Sequence, residues 1–319
     1  MTIWRSFDEI PATLTASAVT IGNFDGVHRG HRAVIARARE AADRLDVPLV
    51  AVTFDPHPMA VLRPEHAPSM LTSLPERAAL LRGAGVDDVL ALPFDLAMAA
   101  WSPEEFVRAV LVEALRARAV VVGANFRFGA RAGGDVASLI GFGREAGFEA
   151  EGVELDGGPQ VWSSTYVRTC LVAGDVAGAA EALGRPFSVR GTVVQGDQRG
   201  RELGYPTANL PVAAGYASPA DGVYAGWLTR PDGNGGSERL PAAISVGTNP
   251  TFDGVRDRRV ESYVLDRTDL ELYGVEVEVS FVERLRGMVA YEGIDPLLAQ
   301  MADDVARTRA VLGLPAAGA

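Results

Sequence analysis

The chain contains no lysine. All 30 basic side chains among its 319 residues are arginines, so the lysine of a Walker A loop and a Schiff-base lysine are both excluded. Phosphate groups must be held by arginine, histidine, backbone amides or a metal. Cysteine is almost absent as well. Cys170 stands alone, so it closes no internal disulfide, has no ligand-spaced partner, and is expected to pack on a helix. No apolar run reaches the roughly 18 to 20 residues that span a bilayer, and the N-terminal MTIWRSFDEIPATL lacks the apolar centre of a signal peptide. A cytoplasmic location is expected. Positive charge is in deficit: the formal net charge is −11, which repels polyanions over long range and argues against nucleic acid or an anionic membrane as the main partner. Small molecules remain as partners. Oligomeric state is not fixed by composition, which is compatible with a homo-oligomer.

What is present is ordinary for a globular protein, 48% apolar and 22% charged, over a length that exceeds one usual hydrophobic core. Two domains are the expectation. From residue 17, SAVTIG, HRAVIARAREAADRL, PLVAVTFD, PERAALLRGAG, DDVLALPF, SPEEFVRAVLVEAL, RAVVVG, DVASLIGFGREAG and FEAEGVEL alternate strand and helix patterns. The strands are almost wholly apolar, as when helices cover both faces of a parallel sheet. A doubly wound α/β domain over 1–183 is predicted, its ligand crevice beyond the C-terminal strand ends. Two short helices in SSTYVRTCLVAGDVAGAAEALG close it. Over 187–319 the pattern changes to SVRGTVVQG, DGVYAGWLT, LPAAISVG, VESYVLD and VEVEVSFVERL, with PDGNGGS as a hairpin loop. Five or six short antiparallel strands predict a small β-barrel, followed by an amphipathic helix in DPLLAQMADDVARTRAVLG.

The sharpest chemical signal is VTIGNFDGVHRGH, Val19 to His31, where a hydrophobic run ends in a Gly-rich turn bearing two histidines. A helix starting near Gly30 would aim its free N–H groups and partial positive charge at the turn, with His28 and His31 flanking the same spot. That is a phosphate site. HxGH is short enough to arise by chance, and a plain βα connection with exposed histidines is the alternative; after a strand and before an amphipathic segment it resembles the nucleotidyltransferase signature.

Taken whole, residues 17 to 313 resemble the bacterial bifunctional riboflavin kinase/FMN adenylyltransferase family. In the first half the resemblance rests on GNFDGVHRGH, TFDPHP, VVGANFRFGARAGG and SSTYVR. In the second it rests on GTVVQGDQRGRELGYPTANL, DGVYAG, SVGTNPTF and VESYVLD. It implies MgATP-dependent phosphorylation of riboflavin to FMN with release of ADP, then adenylylation of FMN to FAD with release of pyrophosphate.

For adenylyl transfer the resemblance implies that His28 and His31 meet the ATP phosphates, with Gly22, Asn23, Phe24 and Gly30 forming the phosphate-binding turn. Ser164 and Thr165 would add hydroxyls and amides at a second helix start, and Arg168 a bidentate clamp on pyrophosphate. His57, Asn125 and Arg131, with Gly129 and Gly133, would line the flavin or nucleotide loop. In the kinase half, Glu261 would be the base that accepts the proton of an un-ionised primary hydroxyl. Thr207 and Asn209 of PTAN, two apart and hence on one face of an extended segment, offer hard oxygens to Mg²⁺. Gly196, Arg199, Gly200, Arg201 and Gly204 would form a flap over the nucleotide, Asn249 and Thr251 would line the same mouth, and Tyr224, Phe252 and Tyr291 are candidates to pack on a flavin ring. Two rival readings stay open at this point. HxGH does not encode the acceptor, so a nucleotidyltransferase with another phosphate acceptor is one, though PTAN argues against it. A flavin-binding sensor without turnover is the other, and the histidine pair together with Glu261 argues against that.

Overall fold

The structure, a computed structural model, describes residues 1–154, 162–196, 204–233, 235–250 and 256–315. The chain divides into two compact units, Met1–Ser164 and Thr165–Ala319.

The first unit is a six-stranded parallel sheet in the order β1-β4-β3-β2-β5-β6. The strands are β1 (Ile3–Trp4), β2 (Ser17–Ile21), β3 (Leu49–Phe54), β4 (Asp88–Leu92), β5 (Ala117–Gly123) and β6 (Glu149–Val153). The helices are α1 (Arg29–Leu45), α2 (Pro58–Leu62), α3 (Leu74–Gly83), α4 (Leu96–Ala99), α5 (Pro103–Phe106) and α6 (Val136–Ala146); α5 runs on in π geometry through Val107–Ala114. Period-two alternation sorts the strand residues by size. Ala18, Ala51, Val89, Ala119 and Val121 lie on the face that carries α1, with its stripe of Val34, Ile35, Ala38, Ala41 and Ala42, and Ala78 and Leu81 of α3. On the other face the bulkier Val19, Ile21, Val50, Val52, Leu90 and Leu92 meet Phe106, Val110, Leu111 and Leu139. Each such buried aliphatic side chain is worth about 1.5–3 kcal/mol of transfer free energy. The chain winds outward from β2 through β3 to β4, then returns to β5 on the other side of β2. A crevice therefore opens beyond the C-terminal ends of β2 and β5, and the two motif loops Gly22–His28 and Ala124–Gly134 follow those two strands.

The second unit begins with α7 (Ser164–Ala173) and α8 (Val176–Leu183), and continues with β7 (Ser188–Thr192), β8 (Thr207–Pro211), β9 (Gly222–Pro231), β10 (Ser237–Pro250), β11 (Arg256–Val264) and β12 (Glu276–Arg286). These pair antiparallel in the order β7-β12-β9-β10-β11-β8. The two ends of the sheet meet where Val194 N–H donates to Asn209 O at 2.9 Å, so the sheet curls into a nearly closed barrel. The final helix, α9 (Ile294–Val311), lies on it. A carboxylate with 6% side-chain exposure, Asp304, accepts from the Arg286 guanidinium at 2.7 Å, and Arg307 donates to Leu285 O at 2.6 Å.

Sequence reasoning placed the join between domains at 183–187. The compact units part at Ser164 and Thr165 because the two intervening helices are tied to the barrel: Ala220 N–H donates to Leu171 O at 2.8 Å, and Arg284 donates to Ala173 O at 3.3 Å. Cys170 is buried on α7.

Candidate active sites

In the first unit β2 stops at Ile21 and the chain turns through a backbone that side chains rarely adopt: φ is +48° at Phe24, +81° at Gly26 and +42° at Val27. The turn delivers His28 as the N-cap of α1, whose first residue, Arg29, is one before the start expected near Gly30. His28 Nδ1 accepts the His31 N–H at 3.3 Å, which assigns the proton of the neutral His28 ring to Nε2. The two imidazoles stack with centroids 3.6 Å apart, and the edge of Phe24 closes on His31 at 5.2 Å. Burial first, then the neighbouring His28 and the Arg77 guanidinium, push the His31 imidazole well below its ordinary value, so the ring is neutral at pH 7. Its Nδ1 is buried and has no hydrogen-bond partner among the described residues.

Gly30 is required by close approach. A Cβ there would lie 3.0 Å from the Trp162 carbonyl and 3.1 Å from the His28 ring. Gly22 is similarly pressed by the Phe24 ring at 3.2 Å. Asn23 Nδ2 lies 3.1 Å from His57 Nε2, and His57 caps α2 by accepting the Met59 N–H at 3.1 Å, with Pro58 at the first helical position. Ser164 Oγ donates to Asp25 O at 2.9 Å, which ties this predicted residue to the same turn. Asn125 is exposed just past β5, and Arg131 is exposed in a left-handed backbone at φ +55°. Thr165 and Arg168 stand one turn apart on α7, Thr165 exposed and its carbonyl accepting the Thr169 hydroxyl at 3.1 Å.

Sequence reasoning passed over several residues of this site. Asp25 lies inside the motif yet was not singled out, and Thr72 and Arg77 come from a distant segment that only the fold brings near. Beyond the ends of β3 and β5, Phe54, Phe94, Phe106, Phe126 and Phe128 form a run of ring contacts 5.4–6.5 Å between centroids. No periodicity marks it, since its members come from four separate stretches, with Phe126 and Phe128 sharing one.

In the second unit one cavity of about 870 Å³ gathers Thr207, Asn209, Glu261, Gly196 and Gly204. Strand register explains the gathering. Asn209 on β8 pairs with Glu261 on β11, and Glu261 pairs with Ser245 on β10, so the three stand in one row across adjacent strands; Thr207 shares their face two residues along. Asn209 is 6% exposed, and its Nδ2 donates to Thr207 O at 3.2 Å and Oγ1 at 3.4 Å. Those donations leave Asn209 Oδ1 and the lone pairs of Thr207 Oγ1, both hard oxygens of the kind Mg²⁺ takes. A Cβ at Gly196 would come within 2.5 Å of the Asn209 amide, so only glycine lets that strand end approach. Among the described residues no three of His, Cys, Asp and Glu are grouped to hold a metal by themselves. Arg199, Gly200, Arg201, Thr251 and Phe252 lie outside the described residues. Asn249 is at the end of β10, opposite Asp257 in backbone register. Tyr224 does not face a ligand: it is fully buried, its hydroxyl donating to Ala220 O at 2.6 Å and its ring edge-on to Phe281 at 5.4 Å. Tyr291 is half-buried, with the Arg286 guanidinium 5.9 Å from its ring centroid. The cavity also takes in Arg259, Arg267 and Tyr273, which sequence reasoning did not select.

Comparison with known proteins divides the chain in the same sense. Residues 10–165 match the FAD synthetase family model and residues 183–312 the riboflavin kinase model. The bifunctional riboflavin kinase/FMN adenylyltransferase of Escherichia coli K12 is 38% identical over 298 residues, 93% of each chain. That of Pseudomonas fluorescens is 40% identical over 295 residues, 92% of each. A crystal structure from Streptococcus pneumoniae, described as a macrolide-efflux protein, superposes with TM-score 0.85 at 31% identity, covering 97% of this chain and 98% of the other. Its description stays with that protein; the likeness carries the fold. Among the described residues no helix here is long and apolar enough to cross a membrane.

Proposed function

The chain belongs to the bifunctional riboflavin kinase/FMN adenylyltransferase family, and on that premise we propose how its two units divide the chemistry. The observation that carries the reading is the row Asn209, Glu261 and Ser245 beside Thr207 in one cavity of the barrel, set against a stacked histidine pair at a helix start in the other unit.

In the barrel, the primary hydroxyl of riboflavin attacks the γ-phosphorus of ATP, forming FMN and releasing ADP. An alcohol is not ionised at pH 7, so Glu261 takes its proton as the bond forms. Enzymes of this kind use ATP, generally with a divalent metal; Thr207 and Asn209 fit Mg²⁺, which when bound neutralises phosphate charge. The chain's own part is to hold these oxygens across the strand from the carboxylate.

In the α/β unit, a phosphate oxygen of FMN attacks the α-phosphorus of ATP, giving FAD and expelling pyrophosphate. A phosphate monoester is already largely ionised, its second pKa being about 6, so no strong base is needed. Catalysis then rests on placement and on neutralising charge. The amides of Arg29 and Gly30 have no intrahelical acceptor by helix geometry and serve the phosphates with the His28 and His31 rings. Burial and the neighbouring His28 and Arg77 hold the His31 ring neutral, and the negative charge of a triphosphate beside it acts in the opposite direction. Ser164 acts on the same phosphates, and the aromatic run with His57, Asn125 and Arg131 receives the flat flavin ring. An ATP-consuming enzyme of this class fits the cytoplasm.

Isotopic labelling tests the division. With riboflavin and MgATP, label from the γ-phosphate enters both FMN and FAD, whereas label from the α-phosphate enters FAD alone; α-label in FMN would refute the scheme.

A further inference from the structure

The motif aspartate, Asp25, is 1% exposed and faces no solvent. Its carboxylate accepts the Leu71 N–H on both oxygens at 3.0 Å, the Thr72 N–H at 3.0 Å and the Thr72 hydroxyl at 3.1 Å. Thr72 Oγ1 in turn accepts the Gly26 N–H at 3.1 Å, so one hydroxyl bridges the aspartate and the following glycine. The clamped Asp25 and Gly26 stand between Phe24 and Val27, two non-glycine residues whose left-handed backbone costs on the order of 1–3 kcal/mol each and persists only where its surroundings over-determine it. A second strut reaches the other end of the turn. Arg77, 2% exposed on α3, donates to Thr53 Oγ1 at 3.1 Å, and Thr53 Oγ1 donates to Asn23 O at 3.1 Å. The segment between the two struts is itself fixed by the Ser73–Glu76 capping box at the start of α3.

We propose that Asp25 and Thr72 are positioning residues for adenylyl transfer: their buried clamp sets the path of the Gly22–His28 turn and so the placement of the His28 and His31 rings at the start of α1. The carboxylate never meets substrate. Its work is to replace, with hydrogen bonds from Leu71 and Thr72, what a relaxed turn would obtain from water. A carboxylate is the right group, since all three donors point at it and an amide would turn N–H against N–H. Thr72 is the sharper probe because it adds the bridge to Gly26 without carrying charge. This inference rests on the assignment of the histidine pair to the ATP phosphates.

The full-length chain is used throughout, with riboflavin phosphorylation as an internal control, since Asp25 and Thr72 both lie in Met1–Ser164 and the kinase cavity in Thr165–Ala319. Thr72→Val removes the hydroxyl and keeps the shape. It is expected to lower kcat for FMN adenylylation by about 10-fold to 10²-fold, the scale of a misplacement near 1 Å, with KM for ATP changed by less than about 3-fold. Thr72→Ser, which keeps the hydroxyl, should restore most of the rate. The chain holds four histidines, at 28, 31, 57 and 66, so imidazole NMR signals report placement directly: Thr72→Val should move those of His28 and His31 and leave that of His66. Asp25→Asn should act in the same direction and more strongly. Near-normal kcat with unmoved His28 and His31 signals in Thr72→Val would overturn the proposal, and so would equal losses in the Val and Ser variants. A His31→Ala chain run alongside separates the two failures: if it retains full adenylylation, the histidine assignment itself is wrong.

Discussion

The two units build phosphate chemistry from opposite materials. In the α/β unit the histidine pair and the turn that carries it come from one contiguous stretch, thirteen residues from Val19 to His31, and the backbone does much of the work through a left-handed turn and a helix start. In the barrel the groups are side chains more than fifty residues apart, Asn209 and Glu261, which only strand register makes neighbours. The first arrangement is stiff because buried hydrogen bonds determine it from several directions. The second is set by pairing, so a register slip of one residue would turn Glu261 to the opposite face.

The largest effect is expected from Glu261→Gln, which keeps size and much of the hydrogen bonding but cannot accept a proton. Riboflavin phosphorylation should fall by about 10² to 10⁴, the usual worth of general-base catalysis, while adenylylation of supplied FMN is unchanged. Steady-state rates on each flavin check both halves of the statement; near-normal kinase turnover would return Glu261 to an ordinary strand residue. His31→Ala should do the reverse, lowering adenylylation by about 10² to 10³ and letting FMN accumulate. Chromatography of the flavins reads it.

A finer division comes from two glycines. Gly196→Ala pushes a methyl to within 2.5 Å of the Asn209 amide, and Gly30→Ala to 3.0 Å from the Trp162 carbonyl. Each overpacking costs about 1–3 kcal/mol, so each variant should lose roughly 10-fold or more in the activity of its own unit alone. Loss of both activities from either change would blur the boundary drawn here.

The smallest effect is in pH. All four histidines belong to Met1–Ser164, and His31 has a folded-state pKa below its unfolded value. The unfolded chain therefore binds the proton first as pH falls, so stability present above about pH 6.5 declines as pH drops from there toward the folded pKa. Acidification from pH 7.5 to 5.5 should lower the melting temperature of the α/β unit more than that of the barrel, and His31→Gln should flatten the difference. Calorimetry in the two buffers reads it, and an equal shift in both units would remove the pH argument for a neutral His31.

Legibility in the sequence follows the same contrast. Strands β2 to β5 of the parallel sheet are nearly continuous apolar runs, and α1 shows its stripe of Val34, Ile35, Ala38, Ala41 and Ala42, so hydrophobic patterning was enough there; β6, with two glutamates in EAEGV, is the weaker signal. The edge strand Ile3–Trp4 has two residues, too short for any period to show, and the π geometry after α5 has no sequence signature distinct from a helix. The His28–His31 pair was legible because the chemistry and the turn share one stretch. Asp25 was not, since its partners Leu71 and Thr72 are 46 and 47 residues away and nothing local predicts that they return. Glu261 was selected only through family resemblance, because an isolated Glu in a strand looks the same whether it faces solvent or a cavity, and its place opposite Asn209 shows only in the strand register.

If the two sites work independently and share only a flavin that leaves one and enters the other, mixing the two single variants restores the whole sequence. Equal amounts of His31→Ala and Glu261→Gln chains, incubated together with riboflavin, ATP and Mg²⁺, should produce FAD at a rate far above either variant alone, because the first supplies FMN and the second consumes it. A mixture as inactive as its parts, with FMN accumulating in it while the Glu261→Gln chain still converts added FMN, would contradict the account.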